Sequence, residues 1–142
     1  MKRIKVKYFT DIPDLVIHDD GDWVDLRAAK DVFMHAGDYQ AIPLGVAMEL
    51  PKGYEAIVAP RSSTFKRYGI MPANGIGVID ESYKGSDDQW HFLAYATRDT
   101  VIHKGDRICQ FRILKHQPAI GFRMVTRLNN RNRGGIGSTG RV

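Results

Sequence analysis

Leu44-Gly45-Val46-Ala47-Met48-Glu49-Leu50 runs into Pro51-Lys52-Gly53 and then Tyr54-Glu55-Ala56-Ile57-Val58-Ala59. Leu44, Val46, Met48 and Leu50 alternate with Gly45, Ala47 and Glu49, and Tyr54, Ala56 and Val58 continue the alternation beyond the turn. Successive side chains of an extended chain point to opposite faces, so a period of two marks half-buried strands. Pro-Lys-Gly supplies turn chemistry, and residues 41–59 are expected to form a β-hairpin.

The same period recurs on both sides of this stretch. Val24, Leu26 and Ala28 alternate with Trp23, Asp25 and Arg27, and further strands are expected at Gly75–Asp80, Trp90–Thr97, Arg107–Leu114 and Ile120–Leu128. Lys84-Gly85-Ser86 and Lys104-Gly105-Asp106 punctuate them as turns. Only Ser62–Tyr68 suggests a short helix, with Ser62 or Ser63 as its cap. Many short strands and almost no helix predict an all-β sandwich or barrel. No internal repeat is present.

The chain has 142 residues, enough for one core without staples, with 43% apolar and 26% charged residues in an ordinary globular balance. Charges interleave with apolar residues in Met1–Tyr8, so no secretory leader is expected, and no apolar run is long enough for a membrane span. The single cysteine, Cys109, permits no internal disulfide and fits a reducing cytoplasm. The net charge of +5 suits a polyanionic ligand, although the basic residues are scattered as on any solvated surface. Residues 129–142 hold Arg131, Arg133, four glycines and almost no core-forming side chains. The chain therefore divides into a β domain, 1–128, and a flexible arm, 129–142.

Three segments carry candidate chemistry. Asp80 closes the apolar stretch Ile76–Ile79, with Tyr83 three residues on and Gly85 ending the turn; the plainer alternative is a hairpin whose Asp and Ser make only turn hydrogen bonds. Pro60-Arg61-Ser62-Ser63 offers a guanidinium and two hydroxyls at a strand-to-helix transition, which suits phosphate oxygens or, equally, a helix cap beside a surface arginine. The Gly-rich arm can approach phosphates closely and add the charge of Arg131 and Arg133. No Walker or dinucleotide-binding glycine pattern is present, and the five histidines lack zinc-ligand spacing.

In order, these segments resemble the five motifs of the trimeric dUTPase family. Gly21-Asp22-Trp23-Val24-Asp25-Leu26-Arg27-Ala28-Ala29 is similar to the first motif, Pro60–Thr64 to the second, and Asn74–Gly85 to the third, which is the strongest match. Gly105-Asp106-Arg107-Ile108-Cys109-Gln110 is similar to the fourth and Arg133-Gly134-Gly135-Ile136-Gly137-Ser138-Thr139-Gly140 to the fifth. One match could be chance; five in sequence hardly could.

The resemblance implies a jelly-roll-like β fold, a homotrimer with active sites at subunit interfaces, and hydrolysis of dUTP to dUMP and pyrophosphate. That activity keeps uracil out of DNA and supplies dUMP for thymidylate synthesis. Carried over by position, Asp80 is the general base for the water that attacks the α-phosphorus. Asn74 and the backbone beside Asp80, at Gly77 and Val78, read the uracil edge, while Tyr83 packs under the deoxyribose and leaves no room for a 2′-hydroxyl. Arg61, Ser62, Ser63 and Gln110 position the phosphates, joined by Arg131, Arg133, Gly134, Gly135, Ser138 and Thr139 of the arm. Asp25 holds a water of the Mg²⁺ shell, and the ion otherwise takes phosphate oxygens and waters.

Two departures from the family pattern stand out. Ile136 occupies the position where the family places Phe or His over uracil, so the lid is expected from Trp90 or Phe92. Those residues follow an enlarged stretch, Gly85-Ser86-Asp87-Asp88-Gln89. Asn132-Arg133 replaces the commoner Gly-Asp, which leaves the γ-phosphate contact open between Arg131 and Arg133.

Two other functions fit the sequence less well. A dCTP deaminase shares the fold but needs a glutamate on the strand after the third-motif turn, and residues 86–97 contain none. A nucleic-acid-binding module should present aromatics in a basic groove, and here the basic residues do not segregate that way. Regulation through a protein partner, in addition to catalysis, is compatible with the sequence.

Overall fold

The computed structural model describes residues 1–137. Eleven short strands and one helical turn follow one another: β1 (Lys5–Tyr8), β2 (Val24–Arg27), β3 (Val32–Met34), β4 (Tyr39–Pro43), β5 (Val46–Glu49), β6 (Tyr54–Pro60), α1 (Thr64–Tyr68), β7 (Ile70–Pro72), β8 (Gly77–Ile79), β9 (His91–Ala96), β10 (Thr100–Ile102) and β11 (Arg107–Lys115). A four-stranded sheet has the order β2-β11-β6-β8 and a three-stranded sheet the order β4-β9-β7, while β1 pairs with β5 and β3 with β10. Every pairing is antiparallel.

One core lies between these layers. Leu26, Ala56, Val58, Ile108 and Phe111 of the four-stranded sheet share a single buried cluster with Ile42, Ile70, Phe92 and Ala94 of the three-stranded one. Trp90 is its largest fully buried side chain, edge-on to Phe111 with ring centroids 5.2 Å apart. The period-two pattern predicts this all-β architecture, and its jelly-roll-like form is what the family resemblance implies. Among the described residues no helix is long and apolar enough to cross a membrane.

The expected hairpin at 41–59 does not form. The turn at Pro51–Tyr54 is present, with Tyr54 N donating to Pro51 O at 3.1 Å. Its two strands nevertheless diverge: β5 pairs with β1, and both edges of β6 are taken by β11 and β8, which leaves no edge for β5. Nor is the Leu44–Met48 run half-exposed, since all five of its residues are buried. The second face is closed at Gly45, where a Cβ would stand 2.9 Å from Ile12 Cδ1 and where φ is +74.

Residues 120–128 do not form the expected strand either. The last strand ends at Lys115, and no residue from 116 to 137 belongs to a helix or strand. Phe122 and Met124 are each 97% exposed. The period-two pattern is real, but its apolar face finds no surface within its own chain. Five strands escaped the sequence reading: β1, β3, β4, β7 and β10. Three of them are only three residues long, too short for alternation to show.

Candidate active site

The two motif regions around Arg61 and Asp25 meet on the four-stranded sheet. Asp25 on β2 lies opposite Gln110 on β11, which in turn lies opposite Ala59 on β6. Arg61 is the first residue past β6, and its Nε lies 3.0 Å from Asp25 Oδ1. Its Nη1 also donates to Arg107 O at 3.3 Å, and Gln110 Nε2 donates to Pro60 O at 3.1 Å.

The transition from β6 into α1 is built around Thr64, not the serines. Thr64 Oγ1 accepts from Arg61 N at 2.8 Å and donates to Ile108 O at 2.9 Å, locking the Arg61 backbone onto β11. Ser63 occupies the N-cap position without a side-chain cap bond. The side-chain cap expected of Ser62 or Ser63 is absent, and the Thr64 hydroxyl ties the helix start to Arg61 and β11 without capping the helix. Ser62 is exposed and Ser63 partly so.

Arg107 joins this cluster unforeseen. Its Nη1 lies 3.4 Å from Asp25 Oδ2, so Asp25 sits between two guanidiniums. Strict alternation would place residues 107 and 110 on opposite faces of β11. A register shift between Arg107 and Cys109 breaks that alternation, and a bulge of this kind re-aims a side chain. Nothing in residue spacing announces it. Between them, Cys109 is fully buried, and burial pushes its thiol well above the usual range, so it takes no part as a nucleophile.

A second constellation surrounds Asp80, at the end of β8. Asp80 Oδ2 accepts hydrogen bonds from Ser82 N at 2.9 Å and from the Ser82 hydroxyl. These bonds hold the carboxyl below its ordinary range, the Ser82 hydroxyl being the larger cause, with the backbone N–H next and His116 adding a smaller field. Tyr83 N donates to Asp80 O at 3.0 Å, closing the turn, and the Tyr83 hydroxyl donates to Gln89 O at 2.9 Å. Glu55, Asp80, His116, Gln117 and Ile120 line a depression of about 550 Å³ at this point.

Asn74 is exposed on the turn entering β8. Gly77 and Val78 lie on β8, which pairs on one side with β6 and has no strand on the other among the described residues. An edge strand carries unpaired N–H and C=O groups, the donor and acceptor row that a base edge can pair with.

The chain does not bring its two constellations together. Ile79 lies opposite Ala56 and Cys109 opposite Pro60, so Asp80 follows one end of β6 while Arg61 follows the other. At roughly 3.3 Å of rise per residue the two ends are separated by about 20 Å of strand.

The expected aromatic lid is overturned by burial. Trp90 is 0% exposed and Phe92 is 3% exposed, both inside the core. The stretch Gly85–Gln89 leads into β9, where Phe92 pairs opposite Ile42 and points inward, so neither ring can cover a base. Ile136 is fully exposed, with φ 45, and Arg131, Arg133, Gly134 and Gly135 are exposed beside it. Ser138 and Thr139 lie outside the described residues.

No group of three or more His, Cys, Asp or Glu is placed to hold a metal among the described residues. Asp25 carries a charge-paired carboxylate whose oxygens already face Arg61 and Arg107. That environment suits a hydrogen bond to a metal-bound water better than direct ligation.

The dUTPase family model matches residues 24–140. The chain is 57% identical over 139 residues to the SPbeta prophage-derived deoxyuridine 5'-triphosphate nucleotidohydrolase of Bacillus subtilis, covering 97% of this chain and 98% of that one. It is 36% identical over 120 residues to the deoxyuridine 5'-triphosphate nucleotidohydrolase of Rickettsia prowazekii, covering 82% and 80%. Among solved structures it is similar to the Staphylococcus bacteriophage 80alpha dUTPase with dUPNHPP, with a TM-score of 0.80 at 18% identity over 99% of each chain. The dUTPase of phage phi11 of S. aureus, described with a structural Mg(II) ion, has a TM-score of 0.75 at 16% identity over 91% of this chain and 100% of that one. At those identities the structural likeness is one of fold.

Proposed function

This chain belongs to the dUTPase family and hydrolyses dUTP, and we propose that it does so in a site assembled from opposite ends of β6 on two copies of the chain. The observation that carries the proposal is the position of Asp80 and Arg61 at opposite ends of that strand. A base and a phosphate clamp about 20 Å apart cannot serve one α-phosphorus, where reacting groups must stand within hydrogen-bond reach.

Arg61, Arg107, Gln110 and the hydroxyls of Ser62 and Ser63 hold the triphosphate on one copy. Asp25 keeps Arg61 extended along the sheet, so that its Nη groups meet phosphate oxygens without first being ordered. The neighbouring copy brings the free edge of β8, where Asn74 and the backbone at Gly77 and Val78 meet the uracil edge. Tyr83 floors the deoxyribose. Asp80 accepts the proton of the attacking water through Oδ1, which has no hydrogen-bond partner among the described residues. The water attacks the α-phosphorus in line, and pyrophosphate leaves. Magnesium, when it enters with the triphosphate, neutralises phosphate charge, and Asp25 accepts a hydrogen bond from a water of its shell.

A contact that uses one end of a subunit against the other end of the next is heterologous and closes as a ring. Three copies complete the ring. Two surfaces support association: Tyr39, Tyr95 and Met71 form an exposed row across β4, β9 and β7, and Ile120, Phe122 and Met124 are exposed beyond β11. Residues 116–128, which form no helix or strand, lead from β11 to the arm, and residues 131–140 close over the triphosphate of a neighbouring site. With Trp90 and Phe92 buried, Ile136 is the residue of the proposed lid that can reach the base. Measuring mass and pyrophosphate release on the same sample tests the reading: activity should track the trimer, and an active monomer would overturn it.

A further inference from the structure

The stretch Gly85-Ser86-Asp87-Asp88-Gln89 supplies no lid, yet it is held at every step. Gly85 N donates to Asp88 Oδ2 at 2.8 Å and Asp88 N to Gly85 O at 3.1 Å, which closes the loop on itself. Lys7 on β1 donates to Ser86 O at 2.7 Å and lies 3.8 Å from Asp87 Oδ1. The loop ends at Gln89, whose side-chain Oε1 accepts from the N–H of buried Gly45 at 3.0 Å. Immediately beyond it, Trp90 N donates to Val46 O at 2.8 Å and Leu44 N to Trp90 O at 2.9 Å, anchoring the loop to the core.

The Gln89 carbonyl is where this scaffold reaches the site. It accepts from the Tyr83 hydroxyl at 2.9 Å, and His91 Nδ1 lies 2.9 Å from the same oxygen. Tyr83 is 38% exposed, and the hydroxyl bond to Gln89 O ties its ring to the loop.

We propose that Gln89 is a positioning residue for sugar discrimination: its side chain pins the loop to Gly45, and its carbonyl thereby holds the Tyr83 ring where a 2′-hydroxyl would need room. The inference rests on the reading of Tyr83 as the floor of the deoxyribose. A tethered ring excludes the extra oxygen, whereas an untethered one turns aside and admits it. Discrimination is a ratio of kcat/KM values, so the brace is read in that ratio and not in the rate with dUTP alone.

The experiment compares kcat/KM for dUTP and UTP in the intact protein for four variants, with melting temperatures alongside. Gln89→Ala removes the acceptor for Gly45 N–H, and Tyr83→Phe removes the tethered hydroxyl. Each should raise the UTP to dUTP ratio about fivefold, the size of one net hydrogen bond. Gln89→Glu keeps an acceptor at the same place and should keep the wild-type ratio. Tyr83→Ala tests the underlying reading and should relax discrimination furthest. If Tyr83→Ala relaxes it while Gln89→Ala and Tyr83→Phe leave the ratio unchanged, the brace is wrong even if the melting temperature of Gln89→Ala falls. If Tyr83→Ala leaves the ratio unchanged, the sugar-floor reading fails and the brace with it.

Discussion

Arg61 Nε stands 3.0 Å from Asp25 Oδ1, a contact that spans β11 and ties the residue past β6 to the outer strand β2. Both side chains are about three-quarters buried, at 23% and 22% exposure, so the pair holds its geometry better than an exposed one. A guanidinium fixed in this way presents its remaining N–H groups to an anion without first losing rotamer freedom.

Asp25→Asn should therefore weaken catalysis from two directions. It frees Arg61 and Arg107 and removes the carboxylate that accepts from a metal-bound water. A charge-assisted hydrogen bond is worth about 1.5–3 kcal/mol, or roughly tenfold to a hundredfold in kcat/KM. A magnesium titration of pyrophosphate release should also show a higher half-saturating concentration. An unchanged magnesium requirement would remove Asp25 from the metal's water shell.

Asp80→Asn keeps shape and loses basicity, so single-turnover hydrolysis should fall by about 10² to 10⁴ while dUTP still binds. A loss under tenfold would take the base away from Asp80. The pH dependence has a definite sign. Hydrogen bonds from Ser82 favour the charged carboxylate and lower its pKa, so Asp80 stays ionised, and hydrolysis persists, to a lower pH than an ordinary carboxyl allows. Ser82→Ala removes the stronger of these bonds and should move the acid limb of kcat/KM upward; a limb that stays in place contradicts this.

Trp90→Ala should act on folding and not on substrate. Emptying a fully buried indole site costs about 3–5 kcal/mol, read as a lower denaturation midpoint, with KM of the folded protein unchanged. A raised KM at unchanged stability would return Trp90 to the uracil lid.

Truncation after Asn130 removes the arm's Arg131 and Arg133 and its glycines. Hydrolysis should fall sharply while the melting temperature holds, because the described part of this segment, residues 131–137, is exposed throughout. Normal hydrolysis by the truncated protein would make the arm a passive tail.

What the sequence disclosed and withheld follows physical lines. Asp80, Ser82 and Tyr83 act within one turn, where spacing alone fixes geometry, and the structure holds them in that turn. Strand positions for β2, β6, β9 and β11 were legible because alternation is a local property. Pairing is not local: the Leu44–Val58 stretch looks like a hairpin, yet its two strands find partners at Lys5–Tyr8 and Arg107–Lys115. Arg107 was hidden by a bulge, which breaks the period that any pattern reading relies on. Trp90 was misread because an aromatic beside a functional turn looks the same in sequence whether it faces the ligand or the core. Ile120–Leu128 carries a strand's period without a strand: its apolar side chains stay exposed, and period alone does not supply a pairing partner.

The central claim is that each site takes Arg61 from one subunit and Asp80 from another, and subunit mixing tests it most directly. Arg61→Ala and Asp80→Asn are each expected to be inactive alone. Co-refolded in equal amounts, they should regain up to about a quarter of wild-type pyrophosphate release, the share of interfaces that pair two intact halves by random mixing. Mixed assemblies, confirmed by mass, that remain as inactive as either parent would contradict a site built between subunits.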